Sequence, residues 1–275
     1  MSTSINLNQK KQNQSLRGLS SILYKESCDW MKTKKWWINA ILWPVIICGL
    51  VANLLLVANS FPVDISEEVV AAGGLTKYIT SLGLSVFFDF GMRVIGFGVI
   101  ILSHDLLISE RENGIFEWML TKPISRRATI FGKLLANGKY LMLFLILIPA
   151  AITYGMLSLK MGGFFPVPPY LAGLGIMVLH SFFYMALVLM LGTIINSRIA
   201  VLGISAGLLL GGSILTSLVD FLVYVSPFAL SSIATMVADS KTIAPEMLVL
   251  PIVSTLLWSI IFLVVAIYKF DRLEI

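Results

Sequence analysis

Long apolar runs alternate with short polar stretches along this chain, and their spacing predicts most of its architecture. Residues 1–14 are polar, without a period, and read as a disordered tail. A helical period begins at Leu16. Leu16, Leu19, Leu23 and Trp30 fall on one side, interrupted at Glu26, and Arg17, Lys25, Lys32, Lys34 and Lys35 fill the other. A basic amphipathic helix of this kind, over residues 15–35, is expected in the membrane interface. The alternative is a solvated helix that merely precedes a span. Six apolar runs follow, at about 36–58, 81–103, 134–159, 170–195, 199–225 and 248–269, each near the ~20 residues a bilayer requires. The pattern predicts an all-α membrane protein with a six-helix transmembrane domain over residues 36–275.

One polar island breaks this rhythm between the second and third runs: SERENGIFEWMLTKPISRR, from Ser109 to Arg127. Ser109 and Glu112 are spaced as a capping box, which predicts a helix start. Glu110 and Glu112 fall in its first turn, where the helix dipole favours negative charge. Pro123 ends the helix by pushing Lys122 out of the α region. Ile115, Phe116, Met119 and Leu120 give it one apolar flank. Gly114 weakens such a helix by roughly 1 kcal/mol relative to alanine, so a close backbone approach is expected there.

Composition agrees with the pattern. The 275 residues are 57% hydrophobic and 13% charged, half the charge of a soluble domain, with mean hydropathy +0.90. The formal charge of +5 is explained by position. Segments 1–35, 104–133, 196–198 and 269–275 hold 15 of the 20 lysines and arginines, and the three opposite loops hold 3. That asymmetry predicts both termini and the polar island on the cytoplasmic side, with the basic residues lining the inner leaflet rather than a nucleic-acid groove. Between the last two runs, FALSSIATMV is apolar but too short to span, and suits a re-entrant or interfacial helix.

Ionisable residues inside apolar runs mark function by default. Asp89 and Arg93 share a helical face, either as a self-neutralising pair or as a site facing a cavity. His180 lies mid-run and reads as an interhelical hydrogen-bonder before a ligand. Asp220 stands near an outer end, solvated by headgroup water or by a vestibule. Lys139 sits one to two turns inside its run, able to snorkel to the cytosol. Phe87, Phe88, Phe90, Phe182, Phe183 and Tyr184 cluster in runs two and four, as packing or as an apolar cavity wall. Gly203, Gly207 and Gly211 form a small-xxx-small stripe, for packing within the chain or between two chains.

Other chemistry finds no footing. Gly203-Ile204-Ser205-Ala206-Gly207 fits a nucleophile elbow in letters, but it is mid-run and no histidine follows it. Cys28 and Cys48 have no redox or metal spacing and read as structural. The two histidines belong to no metal-ligand cluster. Gly132-Lys133 is followed by Leu134 where a P-loop needs Ser or Thr, so ATP binding is not expected in this chain. No catalytic residue, metal or cofactor is predicted.

The island's wording resembles a known family. Glu110-Arg111-Glu112-x-Gly114, then Glu117, Leu120, Pro123, Ser125 and Arg126, is similar to the segment between spans two and three of type-two ABC exporter permeases. Ile115 stands where these proteins often carry threonine. The resemblance implies that Glu110, Arg111, Glu112, Gly114, Glu117, Pro123 and Arg126 form a short cytosolic coupling helix that meets a separate ABC ATPase subunit. ATP and Mg would then be held on that partner. It also implies a second permease subunit, with the glycine stripe at the subunit interface or cavity, and surrounding lipid in the inner membrane of a prokaryote. The function so implied is the membrane subunit of an ATP-driven exporter of unspecified cargo. The alternative is a non-transporting scaffold or immunity protein of the same shape.

Overall fold

The structure, a computed structural model, describes residues 16–57, 67–114 and 125–272. The predicted tail at residues 1–14 lies outside them. The elements are α1 (Leu19–Lys32), α2 (Lys35–Val57), α3 (Glu67–Ala71), α4 (Leu75–Ser85), α5 (Gly91–Ser103) and α6 (Ile108–Glu112). They continue with α7 (Arg126–Leu141), α8 (Ile148–Met161), α9 (Val167–Ile194), α10 (Arg198–Leu218), α11 (Phe221–Val225), α12 (Leu230–Ala238) and α13 (Pro245–Asp271). There is no strand among the described residues. Six helical stretches are long and apolar enough to cross a membrane: Lys35–Val57, Leu75–Glu112, Arg126–Met161, Val167–Ile194, Arg198–Thr216 and Pro245–Asp271. This is an all-α membrane protein, as its apolar runs imply.

The second and third spans begin at Leu75 and Arg126, earlier than their apolar runs, because polar residues beyond the run continue the same helix. The fifth stops sooner than expected: α10 ends at Leu218, and a break at Val219 and Asp220 sets off the short α11. Two π-helical segments interrupt the long helices, Val86–Phe90 in span two and Met142–Leu147 in span three. Such segments cost regular hydrogen bonding and often mark functional positions. Asp89 stands inside the first.

Helix α9 is the axis of the bundle. Of its most apolar window 67% is buried, against 17% for the peripheral α13. It packs against α5, α10, α12 and α13. The short apolar stretch after Ser226 forms a 3₁₀ turn and then α12, whose Leu230, Ile233 and Ala234 are buried against α9 and the first π segment. Phe87 and Phe88 pack with Tyr170 at ring distances of 6.0 and 5.7 Å, tying span two to α9. Cys28 and Cys48 are free thiols.

The approach of α12 to α9 depends on Gly173. A Cβ there would stand 3.0 Å from the Ala234 carbonyl oxygen and 2.8 Å from Phe88. Backbone cannot yield as a side chain can, so overpacking of about 1–3 kcal/mol is expected. Gly175, on the same helix, has nothing within 4 Å of its Cβ position. Gly173→Ala is therefore predicted to lower the thermal-unfolding midpoint of the purified protein, and Gly175→Ala to leave it unchanged or slightly raised. Equal midpoints for the two variants would contradict this packing.

Candidate coupling site and intramembrane polar residues

The polar island begins as a continuation of span two. Ser109 already lies within a helical turn, with both its N–H and its hydroxyl donating to the Asp105 carbonyl at 2.9 and 2.7 Å. It therefore caps nothing, which corrects the predicted capping box: no free first turn exists for it to cap. Helix α6 ends at Glu112, and Gly114 follows with φ +65, the left-handed conformation that closes helices. Among the described residues no atom lies within 4 Å of its Cβ position, so within them this glycine serves the turn. Glu117 and Pro123, with the apolar flank of Ile115, Phe116, Met119 and Leu120, lie outside the described residues.

Two glutamates predicted in the same helical turn face opposite ways. Glu110 and Glu112 are two residues apart, about 200° around a helix of 3.6 residues per turn. Glu112 is exposed and pairs with Arg198, which also lies 3.9 Å from Asp105. Glu110 is 6% exposed and points beneath α1. There Lys133 Nζ lies 2.9 Å from Glu26 Oε1, to which it donates, and 3.0 Å from Glu110 Oε2. Lys25 donates to the other Glu110 oxygen. Asn137 Nδ2 donates to Glu26 Oε2 at 3.0 Å, and Trp30 Nε1 donates to Asn137 Oδ1 at 2.7 Å. Two lysines and two glutamates make a neutral cluster, and Lys133, at 2% exposure, is the member that touches both carboxylates.

This cluster is what seats α1. Its buried residues are Ile22, Glu26 and Trp30, one per turn, and all face α7. Glu26, an interruption in the apolar pattern, is thus at the centre of the contact. Ile22 fits over Gly132, whose Cβ would otherwise stand 2.6 Å from it. Trp30 stacks on Tyr140 at 5.2 Å and on Phe144 at 6.0 Å. The helix runs alongside the start of span three.

Both ends of the island are fastened to other spans. On the near side Arg111 donates to Asn196 Oδ1 and to the Gly192 carbonyl, and Glu112 holds Arg198, so the segment grips the turn between α9 and α10. On the far side Ser125 caps α7 by accepting from Ala128 N at 3.1 Å, and its own N–H donates to the Arg17 carbonyl. Arg126 Nη1 donates to the carbonyls of Phe270 and Asp271 at 3.1 and 2.7 Å, and Arg127 lies 3.6 Å from the Asp271 carboxylate. The residues missed by sequence reading are Glu26, Lys133, Asn196 and Arg198. Their signal was a charged residue on an apolar face for the first two. The others carry none without the fold.

Within the spans, Arg93 reaches both Asp89 oxygens at 3.1 and 3.2 Å, and Ser231 of α12 donates to Asp89 at 2.8 Å. The pair is self-neutralised and yet half exposed on the surface of the chain. His180 is buried edge-on against Tyr184 at 4.9 Å, and its Nδ1 meets no partner among the described residues. Asp220 is exposed at the α10–α11 break. Phe87, Phe88, Phe183 and Tyr184 are buried packing residues, and Phe90 is exposed. Among the described residues, nothing lies within 4 Å of the Cβ positions of Gly203, Gly207 and Gly211. The glycine that tight packing demands on α10 is Gly212, against Phe228.

A family model described as ABC-2 family transporter protein matches residues 20–275. The chain belongs to the ABC-2 transporter family. As a member, it is a multi-pass membrane protein and a permease subunit of an ABC transporter. Comparison with curated proteins gives no match. In this ABC-2 permease the match begins within α1, so the residues of the charge cluster lie inside the matched stretch.

Removing one partner of a buried ion pair leaves the other uncompensated, at a cost of about 3–5 kcal/mol. Lys133→Met is predicted to free α1, read as faster amide exchange over Leu19–Lys32 and a lower unfolding midpoint. Adding Glu26→Gln should recover part of the loss. Unchanged exchange in α1 would show that the cluster does not hold it.

Proposed function

We propose that this ABC-2 permease is the membrane half of an ATP-driven exporter that works as a dimer with two ATPase subunits. The observation that carries this reading is the double fastening of the polar island. A push delivered between Gly114 and Ser125 reaches spans four and five through Arg111 and Glu112. It reaches span six and α1 through Arg126, Arg127 and Ser125. Exposed Glu112 and half-buried Arg111 are available to a partner, whereas Glu110 supports them from beneath. ATP and Mg would be bound by the partner, since no phosphate-binding loop occurs in this sequence.

Inside the membrane, an exposed ion pair on a single chain is costly unless it faces protein or water. Asp89 and Arg93 fit the wall of a pathway, and the open glycine stripe of α10 fits a close approach by a second copy. His180, packed edge-on against Tyr184, is a structural element of span four. Alternating access would then be a rotation of spans two and five about the subunit boundary, with the basic termini on the cytoplasmic side of the inner membrane.

An exposed salt bridge contributes only about 0–1 kcal/mol, so Glu112→Arg should fold normally. It is expected to lose most of the ATP turnover that the permease stimulates in its co-purified ATPase, and Glu117→Lys likewise. The swap Glu112→Arg with Arg198→Glu should restore turnover if the link to α10 is what Glu112 provides. Full turnover in both single variants would favour a non-transporting scaffold of the same shape.

A further inference from the structure

Spans three and four part on the membrane-facing side and leave a groove of about 530 Å³. One wall is Leu143, Ile146 and Leu147 from the second π segment, and the other is Val178 and Phe182 of α9. Its lining is apolar apart from Ser181, whose hydroxyl is spent on the Met177 carbonyl at 2.9 Å, and Lys139, which stands at one end. Lys139 is exposed, its ammonium 4.5 Å from the Tyr140 ring centroid, and it pairs with no carboxylate among the described residues.

Depth decides what this end meets. Helix α1 runs beside α7 until Trp30 stacks on Tyr140, and α2 starts soon after at Lys35, with Trp36 and Trp37 exposed as interface anchors. Lys139 is therefore level with the membrane edge. From Met142 to Met161 roughly 20 residues remain, about 30 Å at 1.5 Å per residue, the thickness of the hydrocarbon core. The groove thus descends from the headgroup layer into the acyl layer, with the Lys139 ammonium at its polar end.

The geometry points to a binding site for an anionic phospholipid of the leaflet on the basic side. One acyl chain lies in the groove and the phosphate is held by Lys139. An acyl chain gains little by exchanging bilayer for groove, so selectivity must come from the headgroup, where one basic residue is worth about a fivefold preference for negative charge. The open glycine stripe of α10 lies on another helix, which leaves this face to lipid rather than to a second copy. This site does not depend on the direction of transport or on the cargo.

The test uses the full chain, reconstituted with equal phosphatidylglycerol and phosphatidylcholine of matched acyl chains and examined by native mass spectrometry. Wild type should retain one phosphatidylglycerol per chain, about fivefold over phosphatidylcholine. Lys139→Gln should abolish the preference while lipid of either kind is still held. Leu143→Trp, which fills the groove from an exposed position, should lose the retained lipid, and Lys241→Gln, paired with Asp239 at the other end of the bundle, should match wild type. Equal retention of the two lipids by wild type, or an undiminished preference in Lys139→Gln, would overturn the assignment. So would a dimer that holds no lipid and falls apart in Leu143→Trp, which gives the groove to a second copy.

Discussion

A lysine ammonium removed from water is stable only where negative charge surrounds it, and Lys133 satisfies that condition with carboxylates from two other parts of the chain. Glu26 comes from α1 and Glu110 from the end of span two, while Lys133 itself opens span three. Each desolvated charge costs several kcal/mol alone, and the neutral cluster offsets that cost only when all three elements are in place. The pairing therefore fixes α1, α6 and α7 relative to one another more sharply than apolar contact could. Asn137 and Trp30 complete the hydrogen bonding around Glu26, whereas Glu110 Oε2 is held by the Lys133 charge at 3.0 Å without a hydrogen bond among the described residues.

Around that anchor the basic end of the bundle behaves as a harness. Arg111 and Glu112 reach the α9–α10 turn, and Ser125, Arg126 and Arg127 reach the amino-terminal segment and the end of α13. Most of these contacts are exposed and individually weak. Within the membrane the same chain uses packing instead: α9 is encased, α12 sits on it through Gly173, and Phe87, Phe88 and Tyr170 close the seam. The molecule thus divides into a labile polar end and a dense apolar body. The groove below Lys139 lies at the border between the two.

The sequence by itself determined the number of spans, because a backbone in hydrocarbon must bond within its own helix and each apolar run is long enough to do so. It also determined the family, through the letters of the polar island, and the short helix before the last span, through a run too brief to cross. What only the tertiary structure decided was direction. Glu110 and Glu112 look equivalent in sequence, yet a helix turns them to opposite sides, one into the Lys133 cluster and one to Arg198. Glu26 reads as a flaw in an amphipathic pattern until Lys133 stands across from it. Gly203, Gly207 and Gly211 have the more regular spacing, but Gly212 and Gly173 are the ones pressed by neighbours. Periodicity reports which residues share a face, and only the packed neighbour says what that face touches.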